Sequence, residues 1–303
     1  LTSPNIFDRS LIRGNLKRAT ATLPETDFLI QHAAGELVSR IAAIKRTFHR
    51  AADVGAYHGA VARLLTKRLP GITVVSLSSV LPLAEACPAP RAVASEEALP
   101  LKERSLDLVT SSLSLHLVND LPGALIQIRR ALRPDGLFLG ALLGGDSLLE
   151  LRQAFMMAET ETAGGVSPRV FPTADIRDMG GLLQRAGFAL PVADSDHVTV
   201  TYADPLALLK DLKAMGAANP LGARSRRPMR RDTLERACGI YRELFAAGNG
   251  KVKATFEFLY LCGWAPHESQ QKPLKPGSAA ARLADALGTI EIPAGDKATP
   301  KEG

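Results

Sequence analysis

The segment Asp53-Val54-Gly55-Ala56-Tyr57-His58-Gly59 sets an acid ahead of two glycines. Glycines let a backbone approach a ligand closely, and the free N–H groups that open the following helix suit a polar or anionic group. A tight turn that needs left-handed residues has the same pattern, and the two readings carry equal weight. His116 and His58 are the histidines nearest the expected strand ends. His116 is either a general base or substrate contact, or a histidine packed at a helix start, the second being the commoner use. From Arg224 to Arg236 six arginines stand against Asp232 and Glu235, a net +4. Arg224, Arg226, Arg227, Arg230 and Arg231 therefore either grip an acidic protein surface or phosphate, or lie solvated on a loop. No aromatic residue interleaves with them, so a stacking platform for nucleic acid is disfavoured. No metal spacing occurs: Asp196-His197 and His267-Glu268 are adjacent pairs, which suit a shared metal face poorly. Neither a Ser/His/Asp nucleophile elbow nor a phosphate-binding loop is present.

The elements that must position these residues alternate. Short apolar runs at 51–54, 72–77, 91–94, 106–111 and 137–142 read as strands, and the segments around 61–65 and 121–132 read as helices. That rhythm implies βαβ crossovers and a parallel sheet covered on both faces, with ligands outside the carboxyl ends of the strands. Arg133-Pro134-Asp135-Gly136 reads as a turn. Ahead of the sheet, Leu29, Ile30, Ala33, Leu37, Ile41 and Ile44 keep helical spacing, and Leu11, Ile12 and Leu16 mark an earlier helix. Beyond it the expectation is helices at 148–161, 173–186, 205–215 and 233–246, and strands at 198–201 and 254–262. A short helix at 279–287 precedes a disordered tail of ten residues.

Three further segments occur in order at matching intervals: Ser95-Glu96-Glu97-Ala98-Leu99-Pro100-Leu101, Ser105-Leu106-Asp107-Leu108-Val109, and Leu132-Arg133-Pro134-Asp135-Gly136. With the glycine turn they resemble the class I S-adenosylmethionine (SAM)-dependent methyltransferases. Asn5-Ile6-Phe7-Asp8-Arg9, Ser111 through Pro122, Ala158-Glu159-Thr160-Glu161, Gly164-Gly165-Val166-Ser167-Pro168 and Trp264 through Gln270 narrow the likeness. They are similar to the mitochondrial complex I assembly-factor branch, which includes a protein arginine hydroxylase, and more distantly to the malonyl-carrier-protein methyltransferases of biotin synthesis. The resemblance implies an α/β, Rossmann-like class I methyltransferase fold: a mostly parallel seven-stranded sheet with helices on both faces and a helical insertion before the last strand. It implies SAM as cofactor and a protein substrate or assembly partner, such as a subunit of respiratory complex I. On this reading Asp53, Gly55, Ala56, Tyr57 and Gly59 shape the methionine-binding turn. Ser78, Ser95 and Glu96 touch the nucleoside, Ser111 to His116 (with Ser112 among them) line the reaction mouth, and the arginine loop roofs the site. Three positions depart from the pattern: Tyr57 replaces a glycine, and Ser78 and Ser95 replace carboxylates. A serine cannot accept two hydrogen bonds from a vicinal diol as a carboxylate does, at roughly 1–3 kcal/mol for each loss. The implied activity is side-chain modification, by methyl transfer or arginine hydroxylation; the alternative is a non-catalytic pseudo-methyltransferase that binds a partner.

Composition sets the outer bounds. With 303 residues, 46% hydrophobic and 22% charged, the chain has material for a sizeable core and none of the bias of disordered or fibrous proteins. The expected organisation is a helical segment at 1–50, a core at 51–202 and 252–265, a cap insertion at 203–251, and an extension at 266–303. Cys87, Cys238 and Cys262 suit neither a disulfide framework nor zinc, and fit a reducing compartment. No apolar run reaches the length of a membrane span. Leu1-Thr2-Ser3-Pro4 shows no basic region leading into an apolar one, so the expectation is bacterial cytoplasm, or the mitochondrial matrix in a eukaryote. The net charge of +6 permits acidic partners without naming one.

Overall fold

Five apolar runs form parallel strands because helices cover them on both sides: Arg50–Val54 (β1), Thr73–Ser78 (β2), Arg91–Val93 (β3), Leu106–Ser112 (β4) and Leu132–Leu143 (β5). Ala189–Tyr202 (β6), the short Ala246–Gly248 (β7) and Lys251–Trp264 (β8) complete the sheet. This computed structural model describes residues 5–172, 175–271 and 282–290. The strand order is β3-β2-β1-β4-β5-β8-β6, with β8 antiparallel to both neighbours and β7 paired to β8. The seven expected strands are present, and β7 adds an eighth.

Helices Arg9–Ala19 (α1), Leu23–Thr26 (α2) and Phe28–Ala42 (α3) precede the sheet. Ala60–Arg68 (α4), Leu81–Ala86 (α5) and Leu121–Ala131 (α6) follow β1, β2 and β4 as crossovers. Leu149–Ala163 (α7) and Ile176–Arg185 (α8) lie between β5 and β6, and Pro205–Ala214 (α9) with Arg231–Leu244 (α10) form the insertion before β8. The alternation along β5 divides the core. Leu137, Leu139 and Ala141 pack with α3, α4, α7 and α10, whereas Phe138 and Leu142 pack with α6 and α8. The compact unit containing the sheet is Leu1–His267; of the second, Glu268–Gly303, one short helix is described, Leu283–Leu287. No helix among the described residues is long and apolar enough to cross a membrane.

Several boundaries correct the sequence reading. β6 extends over 14 residues, not four. It is an edge strand, so its polar stretch Asp194-Ser195-Asp196-His197 sits on solvent while still pairing with β8. Arg133–Gly136 is part of β5, which absorbs Asp135 at φ +62° through a register shift against β4. Helices α2 and α5 and the 3-10 turn Leu115–Leu117 had no clear periodicity because each is too short to show one. The start of the 173–186 helix, all of 272–281 with the start of the expected 279–287 helix, and the expected tail lie outside the described residues.

Local caps explain where several helices begin. Asp120 accepts a hydrogen bond from Gly123 N at 2.8 Å and so starts α6, whose buried residues Ala124, Leu125 and Ile128 support β4. Asp120→Ala is expected to lower stability by about 1 kcal/mol in urea denaturation. An unchanged midpoint would show that the tertiary packing of α6 makes the cap redundant.

Candidate cofactor and substrate site

Asp53, the penultimate residue of β1, is fully buried. Its Oδ1 accepts from Thr110 Oγ1 at 3.0 Å, and its Oδ2 has no partner. Burial, opposed only by the Thr110 bond, pushes its pKa up from 3.8 to about 7. In the turn beyond, Gly55 has φ +69° and Gly59 φ +85°; a Cβ on Gly55 would stand 1.9 Å from Ser114 Oγ. Ala56 N donates to Leu77 O at 2.8 Å and ties the turn to β2. Tyr57 also lies in the left-handed region, at φ +47°, without being glycine. Such a residue costs roughly 1–2 kcal/mol of backbone strain. Its hydroxyl donates to Leu113 O at 2.6 Å, and Leu113 itself has φ +53°.

The far side of this cradle is closed from within. Ser78 is the buried last residue of β2, and Ser95 and Glu96 follow β3. Arg9, from the first turn of α1, forms an ion pair with Glu96 and donates to Leu117 O at 3.2 Å and to Ser95 Oγ at 3.5 Å. Arg9, Ile12, Leu16, Gly55, Tyr57 and Ser78 are among the walls, and they leave about 10 Å³, the room of one water molecule. Arg9 is held there by its neighbours on both sides. Phe7 N donates to Asn119 Oδ1 at 2.8 Å, and Asp8 N donates to Pro220 O at 2.8 Å. Ser111 and Ser112, at the end of β4, are buried beneath the cradle; Ser111 Oγ lies 3.0 Å from Ser114 Oγ, and Ser112 Oγ has no partner.

Next to the cradle, across Tyr57, Ile12 and Leu16, lies a mostly apolar cavity of about 70 Å³ walled also by His116, Leu113, Phe171 and Met215. The His116 ring stacks on Phe171 at 5.5 Å, and its Nδ1 is buried with no partner. Burial pulls the His116 pKa down from 6.5 to about 3. Phe171, Ala217 and Ala218 are shared with a wider cleft of about 570 Å³ rimmed by Arg18, Lys210 and Lys213. Cradle, cavity and cleft therefore run in series under α1. His116 is expected to stay neutral in the folded chain from pH 5 to 8, which NMR of its ring checks; a shift near pH 6.5 would show an imidazole open to water. The depressed pKa also means that the unfolded chain gains this proton first, so the His116 contribution to stability falls as pH drops below about 6.5.

A profile of the methyltransferase domain matches residues 52–140. The chain is 41% identical over 287 residues to "Arginine-hydroxylase NDUFAF5, mitochondrial" of Danio rerio, covering 93% of this chain and 89% of that protein. It is 34% identical to the malonyl-[acyl-carrier protein] O-methyltransferase of Laribacter hongkongensis, over 91% and 96% of the two chains. The chain belongs to the SAM-dependent methyltransferase family that includes the NDUFAF5 arginine hydroxylases. Among solved structures, the YcgJ protein of Bacillus subtilis shares the fold with a TM-score of 0.54 at 15% identity, over 78% of this chain and 99% of that one.

Whether this member of the family fits SAM divides between the two ends of the cradle. The methionine end keeps the features of such a turn: Gly55 and Gly59 take left-handed φ where a Cβ would meet Ser114 and Pro88, and buried Asp53 Oδ2 has no donor. The expected nucleoside end is closed: Ser78 and Ser79 line it, Arg9 occupies Glu96, and the free space is far below the roughly 300 Å³ of a ligand pocket.

Other expected site residues are placed elsewhere. His58 is taken up by Asp27, 2.7 Å from its Nε2. None of the expected arginines lines the cradle or the cavity; Met229 alone of that stretch reaches the cleft. Arg224 lies 3.5 Å from Asp8, Arg230 pairs with Asp232, and Arg231 pairs with Glu235, while Arg226 and Arg227 are exposed with no ion pair among the described residues. Arg9 and Phe171 were not foreseen as site residues, whereas Ser114 lies within the 111–116 stretch expected at the reaction mouth. Asn5-Ile6-Phe7-Asp8-Arg9 carried a signal for the first, since it was distinctive without having a role.

Proposed function

We propose that this chain modifies a side chain of a protein partner at the cavity beneath α1, as its arginine-hydroxylase relatives are named to do, and that it holds SAM weakly. The implied partner is a subunit of respiratory complex I, met in the mitochondrial matrix of a eukaryote or the cytoplasm of a bacterium. The observation that carries this reading is a set of buried polar atoms without a partner: Asp53 Oδ2 near the carboxyl end of β1, Ser112 Oγ at that of β4, and His116 Nδ1 in the 3-10 turn that follows. Each such atom costs about 1–3 kcal/mol, and retaining them near the strand ends suits a ligand-binding site.

SAM, when bound, carries an activated methyl group. The residues of the chain supply the rest. Gly55 and Gly59 let the backbone approach a ligand, and Asp53 accepts from it. The neutral His116 ring offers Nδ1 to a hydrogen-bonding group of the substrate, and Phe171 fixes the plane of that ring. Exposed Arg226 and Arg227 suit an acidic surface on the partner. A second reading, a partner-binding member without catalysis, is favoured by one observation: Tyr57 and the Arg9–Glu96 pair fill the cradle.

Calorimetric titration with SAM, followed by incubation with the cognate complex I subunits, SAM, dioxygen and a two-electron reductant such as ascorbate (the second oxygen atom leaving as water) and mass spectrometry, separates the two. Binding at tens of micromolar to millimolar, with a methyl or hydroxyl group gained on an arginine, supports modification. Capture of the partner without SAM binding or mass gain supports the second reading.

A further inference from the structure

We propose that Asp146, His197 and Glu257 form a binding site for one divalent transition-metal ion. The three come from separate elements: the loop after β5, the edge strand β6, and β8. One ligand atom from each lies within 4.8 Å of the other two. His197 and Glu257 are register partners across the antiparallel β6–β8 pair, which brings their side chains to the same face of the sheet. Asp146 is brought over them by a loop fastened to β8. Gly144 N donates to Glu257 O at 2.9 Å, Ser147 Oγ donates to Glu257 O at 3.1 Å, and Asp146 N donates to Glu257 Oε2 at 2.8 Å.

The charge at this place is uncompensated. Glu257 is buried, and neither it nor Asp146 has a lysine or arginine within ion-pair distance among the described residues. The His197 ring, with Nε2 3.3 Å from Asp146 Oδ2, is the sole cationic candidate among them. A buried carboxylate without a cation is costly, and a divalent ion would neutralise both acids. One imidazole nitrogen with two carboxylate oxygens is a donor set for zinc, manganese or ferrous iron, and the nitrogen selects against magnesium. Ligand atoms around tetrahedral zinc stand about 3.3 Å apart. The His197–Asp146 separation already meets this, and the exposed Asp146 and His197 side chains can close on Glu257. Water would fill the remaining coordination position.

Tag-free, chelator-stripped full-length chain is titrated calorimetrically with zinc chloride, then with manganese and magnesium chlorides. The expected result is one zinc ion per chain at micromolar affinity and no magnesium binding. His197→Ala and Asp146→Asn should each weaken zinc by about tenfold or more. Both side chains are exposed, so unchanged circular dichroism and thermal midpoint serve as the folding control. No zinc binding up to millimolar, zinc binding unaltered in both variants, or magnesium binding as tight as zinc would each overturn the assignment.

Discussion

Replacing Tyr57 by Gly together with Ser78 by Asp should tighten SAM binding by about tenfold to a hundredfold. The gain has two sources. A carboxylate at the end of β2 accepts from both hydroxyls of a diol where Ser78 accepts weakly, about 1–3 kcal/mol, or a factor of roughly 5 to 150. Removing the Tyr57 ring opens a cradle that now holds about 10 Å³. Because the ring must leave before the carboxylate can meet a nucleoside, the double variant should exceed the product of the single ones. Tyr57→Gly has opposing effects on stability. It relieves the left-handed strain, about 1–2 kcal/mol, but loses a half-buried ring worth up to about 3–5 kcal/mol, so the variant should fold with reduced stability. Calorimetry on folded single and double variants measures the affinity. Equal affinity in all of them, with folding intact, would show that Arg9 rather than Tyr57 and Ser78 controls entry to the cradle.

Asp53→Asn should stabilise the chain at alkaline pH by up to about 4 kcal/mol, an effect that fades toward acid. The carboxyl pKa rises from 3.8 to about 7 on folding, because burial outweighs the single bond from Thr110. Between these values the folded chain holds a proton that the unfolded chain has released. Stability therefore falls as pH climbs from about 4 to 7, then levels off. The full difference, 7 − 3.8 = 3.2, corresponds to about 4 kcal/mol at about 1.4 kcal/mol per pH unit, an order-of-magnitude figure. Asparagine keeps an acceptor for Thr110 and carries no charge, so it escapes this cost. Urea denaturation of both proteins from pH 4 to 9 should give curves that diverge with rising pH. Parallel curves would mean that Asp53 is solvated or paired in solution. The same variant should bind SAM less well, which would locate the destabilised acid at the methionine end of the cradle.

Much of the fold was legible along the chain because it rests on short-range patterns. β1, β2 and β4 are short runs of mostly apolar or small residues, and α6 carries its 3-4 spacing and an Asp120 cap in consecutive residues. β6 was mostly hidden, since an edge strand with Asp194, Asp196 and His197 on solvent has no apolar signature, and its pairing is a property of β8. At the site, the turn Asp53–Gly59 and the serines at 78 and 95 were visible as departures from a pattern. The pairing of Arg9 with Glu96 was not, because 87 residues separate them.

By itself, then, the sequence determined the family, the parallel core and the altered turn, each carried by neighbouring residues whose spacing survives in one dimension. The tertiary structure alone decided three things. It put α1 across the mouth of the cradle, so that Arg9 closes what Gly55 and Gly59 keep open. It stacked the half-buried His116 ring on Phe171, with Nδ1 out of water, and so keeps the ring neutral even in mild acid. It also set Asp146 beside His197 and Glu257, where adjacent acid–histidine pairs had given no metal spacing. Each of these depends on strand register, loop closure or desolvation. Those are properties of groups far apart in the chain, and no local pattern of residue types encodes them.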